Sequence, residues 1–326
     1  MSQDTAKMEL PGGAEGLAQQ PFSRLRAGGV LALFMALTVP LMPLQAALLK
    51  ISPKAARRFP HWYHRQVCRV LGVKLTIDGA VVRDCPVLLV SNHTSWLDIP
   101  VLSAVAPVSF VAKKEVGSWP FVSSLARLQR SVFVDRARRH AAGETAGEIT
   151  KRLKMGDAIV LFAEGTSSDG NRVLPFKTSL FASVKPARTN GGGGQGEKPA
   201  SPAATDGPEA MVQTLAVVYT HLHGVPIGRA DRPRVGWYGD MQMQSHAWAL
   251  LGAGPLAVTI VVSPPVPLSD FADRKALAMS SERTVRAAVH RILRDRGPGD
   301  PMQPVEPPAE ARKSRPARAV RGEKWT

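Results

Sequence analysis

From Ala27 to Leu49 the chain carries no charged residue, and its apolar run is interrupted mainly by Pro40, Pro43 and Gln45. A run of that length suffices to cross a bilayer, while the two prolines would interrupt a helix built from it. Basic residues flank both ends, Arg24 and Arg26 before and Lys50, Lys54, Arg57 and Arg58 after. No small-residue cleavage site follows at once, which argues against a signal peptide. The pattern predicts a membrane anchor, as a kinked span or a re-entrant helical hairpin in one leaflet; a buried helix of a soluble domain is the competing reading. Arg57 to Val70 interleaves Phe59, Trp62 and Tyr63 with Arg and His, as an interfacial helix does. His61 and His64 lie three apart there with no third ligand, so a metal site is not expected.

The period then changes. Val87-Leu88-Leu89-Val90 reads as a buried strand running into the polar turn Ser91-Asn92-His93-Thr94-Ser95, and Trp96 to Leu102 reads as a helix start. Further strands are predicted at Val108–Ala112, Arg130–Arg136, Ala158–Glu164, 213–220 and Leu256–Ser263, with Ala158–Glu164 apolar enough to be central. Between them fall a loop and short helix at 117–129, a mostly solvated helix at 141–154 and a helix around His246–Leu251. Ala272 to Arg294 reads as a basic amphipathic helix with Leu277, Ser281, Val285, Ala288 and Ile292 on one face, a stripe expected to serve core packing, with a membrane contact as the competing reading. Strands alternating with helices signify an α/β domain, placed at 71–295. Residues 1–26 read as a flexible leader, 27–70 as the anchor and interfacial helix, 186–210 as a low-complexity surface insertion and 296–326 as a disordered basic tail.

Composition sharpens the choice of partner. The chain is 44% hydrophobic, ample for a core, and its net charge of +16 demands a negative surface. Nucleic-acid binding would explain the charge but not the uncharged stretch; anionic lipid headgroups explain both. Two cysteines, Cys68 and Cys85, form neither a disulfide framework nor a zinc site.

His93 falls where the predicted strand ends, the edge at which open α/β sheets place ligands. Asp98 falls in the first turn of the next helix, close enough to reach back to the imidazole, fix its tautomer and make it a usable general base. Ser95-Trp96-Leu97-Asp98 also fits a capping box, in which Asp98 would serve backbone N–H groups. Arg136 ends a predicted strand and offers a planar, permanently charged fork to a phosphate or carboxylate. Gly165 permits close backbone approach and Thr166 offers a hydroxyl. Glu164 suits either an acceptor hydroxyl or the turn itself. No G-x-S-x-G elbow and no P-loop is present, which excludes the ordinary serine hydrolase and nucleotide-binding classes.

Asn92-His93 with Asp98, Phe133-Val134-Asp135-Arg136, Glu164-Gly165-Thr166 and Pro175-Phe176-Lys177 stand in an order and spacing that resemble the lysophospholipid acyltransferases. The likeness covers roughly residues 85–185. It implies a single mixed-sheet domain flanked by helices, an acyl-CoA or acyl-carrier-protein donor, a lysolipid acceptor, no cofactor, no metal, and an enzyme of a bacterial-type inner membrane with its catalytic domain cytoplasmic. By position, His93 and Asp98 become the catalytic dyad, and Arg136, Glu164, Gly165 and Thr166 become acceptor contacts. Two departures stand out: Ala163 and Ser167 occupy positions where many relatives have Pro and Arg. The missing arginine leaves Arg172 or Lys177 to meet a phosphate. The acceptor expected from the family is 1-acyl-sn-glycerol-3-phosphate, giving phosphatidic acid. The Ser-Ser-Asp-Gly-Asn continuation at 167–171 resembles the lyso-ornithine-lipid acyltransferase branch instead. A basic membrane adaptor without chemistry is the reading from another class.

Overall fold

The computed structural model describes residues 21–134, 147–149, 151–153, 155–183 and 209–295. Residues 1–20, the greater part of the predicted insertion, and the tail from 296 onward lie outside them.

Helix α1 (Pro21–Ile51) starts within the stretch read as leader and continues through both Pro40 and Pro43. The predicted interruption within the apolar run does not occur; the helix continues past Leu49 to Ile51, and the chain turns at Ser52. Ser52 caps α2 (Pro53–Leu71), its Oγ accepting the Ala55 N–H, and proline occupies the first turn, where no donor is missed. Gly72, at φ +71°, closes α2 in the left-handed conformation. The two helices run antiparallel and are joined by polar contacts: Thr38 Oγ1 to Tyr63 Oη at 2.7 Å, and Gln45 Nε2 donating to Ala56 O at 3.0 Å.

α1 is also fixed to the body near both ends. Arg26 Nε donates to Leu251 O and Gln45 Nε2 to Leu128 O. Its other side presents Leu31, Leu33, Met35, Val39 and Leu44, all more than a third exposed. α2 divides likewise: Val67, Cys68 and Leu71 are buried, whereas Trp62, packed against Phe59, faces outward. His61 and His64 point into the protein. Nδ1 of His61 lies 2.8 Å from Ser103 O, and Nδ1 of His64 lies 2.9 Å from both Pro60 O and Ser103 Oγ. Burial lowers the His64 pKa to about 4 against the opposing Pro60 carbonyl, so this imidazole is a neutral packing group.

The sheet contains β1 (Val73–Asp78), β2 (Val87–Ser91), β3 (Val108–Lys113), β4 (Val132–Val134), β5 (Ala158–Phe162), β6 (Met211–Leu222) and β8 (Leu256–Val262), in the order β1-β8-β6-β2-β5-β3-β4. Two short strands, β7 (Val225–Pro226) and β9 (Val266–Pro267), pair with β6. β6 runs antiparallel to β8 and parallel to β2, making the sheet mixed. β2 and β5 are interior strands, and every residue of β2 is buried, as the unbroken apolar run predicts.

Alternate residues of each strand enter two cores. On one face Leu88, Val90, Ile159 and Leu161 pack with Leu277, Val285, Ala288 and Ile292 of α6 (Arg274–Asp295), so the stripe on that helix is core packing. On the other, Val87, Leu89, Phe110 and Val160 pack with α2 and with α3 (Asp98–Val105). α4 (Val122–Leu128) and α5 (Met243–Ala253) complete the shell where α1 docks. Residues 147–149 and 151–153 are helical as expected, with Ile149 and Leu153 buried in the α6 core and the other four described residues exposed or partly exposed.

Candidate active site

At the end of β2 the chain must leave the sheet without abandoning backbone partners to a dry interior. The side chain of Asn92 accomplishes this. Its Nδ2 donates to Val217 O at 2.9 Å and its Oδ1 accepts Val217 N–H at 2.8 Å, continuing the β2–β6 ladder with an amide in place of a peptide. The main chain is thereby released, and His93 projects from the strand end.

Asp98, in the first turn of α3, is fully buried and ties this turn together. Its Oδ2 lies 2.7 Å from His93 Nδ1 and accepts the N–H groups of Thr94 at 2.7 Å and Ser95 at 3.0 Å. One oxygen thus serves the backbone N–H groups and the imidazole together. The other oxygen, Oδ1, accepts the hydroxyl of Tyr219 at 2.6 Å. Phe162 stacks on the His93 ring with centroids 4.0 Å apart and planes 18° apart, setting the ring's orientation. The His93 side chain keeps 18% exposure, so the imidazole is reachable while its partner is not.

Glu164 sits beneath this turn. It is 1% exposed, and its Oε1 accepts the His93 backbone N–H at 3.1 Å. Burial pushes its pKa up to about 8, with the nearby Asp98 and Glu282 charges adding to the shift and the His93 and Leu174 N–H groups opposing it. Gly165 follows at φ +71°, and a Cβ there would stand 3.0 Å from Lys177 Cδ, so the Lys177 side chain lies directly over this glycine. The Lys177 backbone is fixed by its N–H to Ala163 O at 2.8 Å. Thr166, Arg172 and Lys177 are exposed. Arg172 lines a small recess with Asn92, Thr94, Tyr219 and Arg232. Arg136 lies outside the described residues.

The 167–171 segment braces the His93 turn from outside. Ser168 N–H donates to His93 O at 2.9 Å, and the Ser168 hydroxyl donates to the same carbonyl at 3.2 Å. Ser167, at the position where many relatives carry arginine, donates its hydroxyl to Trp237 O, and Trp237 N–H donates to Thr94 O. Of the residues now seen at the site, Tyr219, Phe162 and Trp237 were not anticipated. The β6 strand carrying Tyr219 was legible, but nothing local marks that residue as a partner of Asp98.

A neutral-donor turn around a buried carboxylate, with one reachable imidazole, is equipped to accept a proton from a hydroxyl. Comparison with known proteins gives the chemical context. The sequence model of the Acyltransferase family matches residues 73–194. The chain is 45% identical over 264 residues to a lyso-ornithine lipid O-acyltransferase of Brucella abortus, covering 81% of this chain and 94% of that protein. It is 29% identical to a 1-acyl-sn-glycerol-3-phosphate acyltransferase of Neisseria gonorrhoeae over 62% of this chain and 69% of that one. The fold resembles the crystal structure of a 1-acyl-sn-glycerophosphate acyltransferase from Thermotoga maritima, with a TM-score of 0.56, 22% identity and coverage of 83% of this chain and 94% of the other. The chain belongs to the lysophospholipid acyltransferase family and is an acyltransferase.

Proposed function

We propose that this enzyme moves a fatty acyl group from a thioester, acyl-CoA or acyl-carrier protein, to the free hydroxyl of lyso-ornithine lipid, with His93 as general base and Asp98 as its partner. The observation carrying the proposal is the 2.7 Å contact between His93 Nδ1 and the buried Asp98 carboxylate. With Nδ1 so engaged, Nε2 takes the hydroxyl proton as the oxygen attacks the thioester carbon. The carbon–sulfur bond breaks, and the departing thiolate takes a proton from the imidazolium, leaving an ester and a thiol. Such a base supplies about 10²–10⁴-fold in rate. This sequence of steps requires neither cofactor nor metal.

Relatives named for lyso-ornithine lipid favour that acceptor, and Ser167, bonded to Trp237 in place of an arginine, agrees with it. The Neisseria relative supports 1-acyl-sn-glycerol-3-phosphate as the second reading. Arg136, Arg172, Lys177, Gly165 and Thr166 are the proposed headgroup contacts, and Glu164 holds the His93 backbone in place. The exposed apolar side of α1, on a helix bonded to the body near both ends, supports insertion into one leaflet rather than a span. The basic anchor flanks suit anionic headgroups, and the catalytic domain would face the cytoplasm of a bacterial-type inner membrane, where thioester donors are made.

The test is purified full-length protein with labelled palmitoyl-CoA and both acceptors side by side. Turnover should favour lyso-ornithine lipid, and His93→Ala should lose nearly all of it while remaining membrane-bound. Preference for lysophosphatidate would move the acceptor to the second reading; unchanged turnover by His93→Ala would reject the base.

A further inference from the structure

The buried carboxylate of Asp98 has two oxygens, and the base requires only one. Oδ2 meets His93 and two backbone N–H groups. Oδ1 is met from across the sheet by Tyr219, 121 residues later in the chain, at 2.6 Å. We infer that Tyr219 is a positioning residue of the acyl transfer, a third member that holds Asp98 by its hydroxyl and thereby sets the orientation and basicity of His93. This rests on the reading of His93 and Asp98 as the base pair.

Three observations lead there. First, the Asn92 amide clasps Val217, two residues before Tyr219, so the strand presenting the phenol and the turn presenting the imidazole are fixed to each other directly. Second, the register of β6 against β8 slips between Tyr219 and His221, a bulge of the kind found where a strand must aim one side chain. Third, both partners are buried, Tyr219 at 5% and Asp98 at 0% exposure, where a hydrogen bond to a charged acceptor is strong and its loss leaves the acceptor unmet. Burial and the Asp98 charge raise the phenol well above its usual pKa, so it donates throughout the working range. The other titratable groups close to these partners, among the described residues, are otherwise engaged. Glu164, following β5, binds the His93 N–H, and Cys68 on α2 donates to Pro100 O.

A phenol donating to Oδ1 draws negative charge away from the oxygen facing His93. Removing it makes the carboxylate more attractive to imidazolium and also frees it to rotate. A buried tyrosine that merely packs would do neither. The test compares Tyr219→Phe with 3-fluorotyrosine placed at 219, a stronger donor of nearly the same shape. Palmitoyl-CoA and lyso-ornithine lipid serve as substrates, and His93→Ala is assayed alongside. Tyr219→Phe should lower kcat about tenfold, leave KM for both substrates unchanged, and move the acid limb of the kcat/KM profile upward by roughly half a pH unit. Fluorotyrosine should move that limb downward. A folded Tyr219→Phe with wild-type kcat and profile, or one whose activity falls only as its Tm falls with the limb unmoved, overturns the inference. If Tyr219→Phe fails to fold, the fluorotyrosine arm decides: a lowered limb supports the role and an unmoved one rejects it. An active His93→Ala would remove the base pair itself, whereas an inactive one beside an unaffected Tyr219→Phe removes this inference alone.

Discussion

Replacing Asp98 by asparagine isolates charge from architecture. Four donors converge on this side chain: His93 Nδ1, the N–H groups of Thr94 and Ser95, and the Tyr219 hydroxyl. Alanine would orphan all of them in a dry site at about 1–3 kcal/mol each, a sum approaching the whole stability of an ordinary domain. Asparagine does not. Its carbonyl placed at Oδ2 continues to accept from three donors, and its NH₂, placed at Oδ1, meets a hydroxyl that can rotate to accept. What disappears is a negative charge beside a ring that turns positive when it takes the substrate proton. At about 4 Å between charge centres and an effective dielectric near 20, that attraction amounts to about 4 kcal/mol, or roughly three powers of ten in rate. Initial rates of labelled acyl transfer at saturating donor, read beside Tm and vesicle flotation, should show kcat down about 10³-fold with folding and membrane binding retained. A folded Asp98→Asn keeping more than about a tenth of wild-type kcat would mean that the charge contributes at most about 1.4 kcal/mol, far below the attraction of about 4 kcal/mol, and the electrostatic argument would fall.

Other perturbations probe the surroundings. Glu164, pushed to about 8 from an ordinary 4.5, binds its proton more tightly in the folded state, so its contribution to stability is lost as pH rises through that interval. Glu164→Gln keeps the acceptor for His93 N–H and removes the titration; the Tm of wild type relative to this variant should decline with rising pH, and a constant difference would refute the buried-acid account. On α1, Leu33→Lys with Val39→Lys places two charges on the exposed apolar side, each costing about 3 kcal/mol where the membrane is deepest. The double variant should float poorly with vesicles yet turn over detergent-solubilised acceptor normally; unchanged flotation would remove α1 as the membrane contact.

Local chemistry was legible in the sequence where the partners lie close in the chain. His93 and Asp98 are joined across a turn five residues long, and the strand-turn-helix pattern around them sufficed to pair them. The packed stripe of α6 was equally readable, because its period is unbroken. Ile149 and Leu153 show the same four-residue spacing, but the charged residues between them masked a short buried stripe. The continuous α1 escaped because proline preferences measured in water overstate its effect on an apolar helix packed along one side. The place of β6 beside β2 and the role of Tyr219 beside Asp98 were illegible for one reason: each is settled by partners more than a hundred residues apart, which no local window contains.

The Asn92 clasp has a consequence for how the enzyme comes into being. The four segments that carry the resemblance above lie before residue 178, whereas the residues that receive Asn92 and Asp98 from β6 lie beyond 210. During synthesis the ribosome therefore releases the whole signature long before its supports exist. Until β6 threads in beside β2, the nascent polypeptide carries all the recognisable letters of an acyltransferase and none of the geometry.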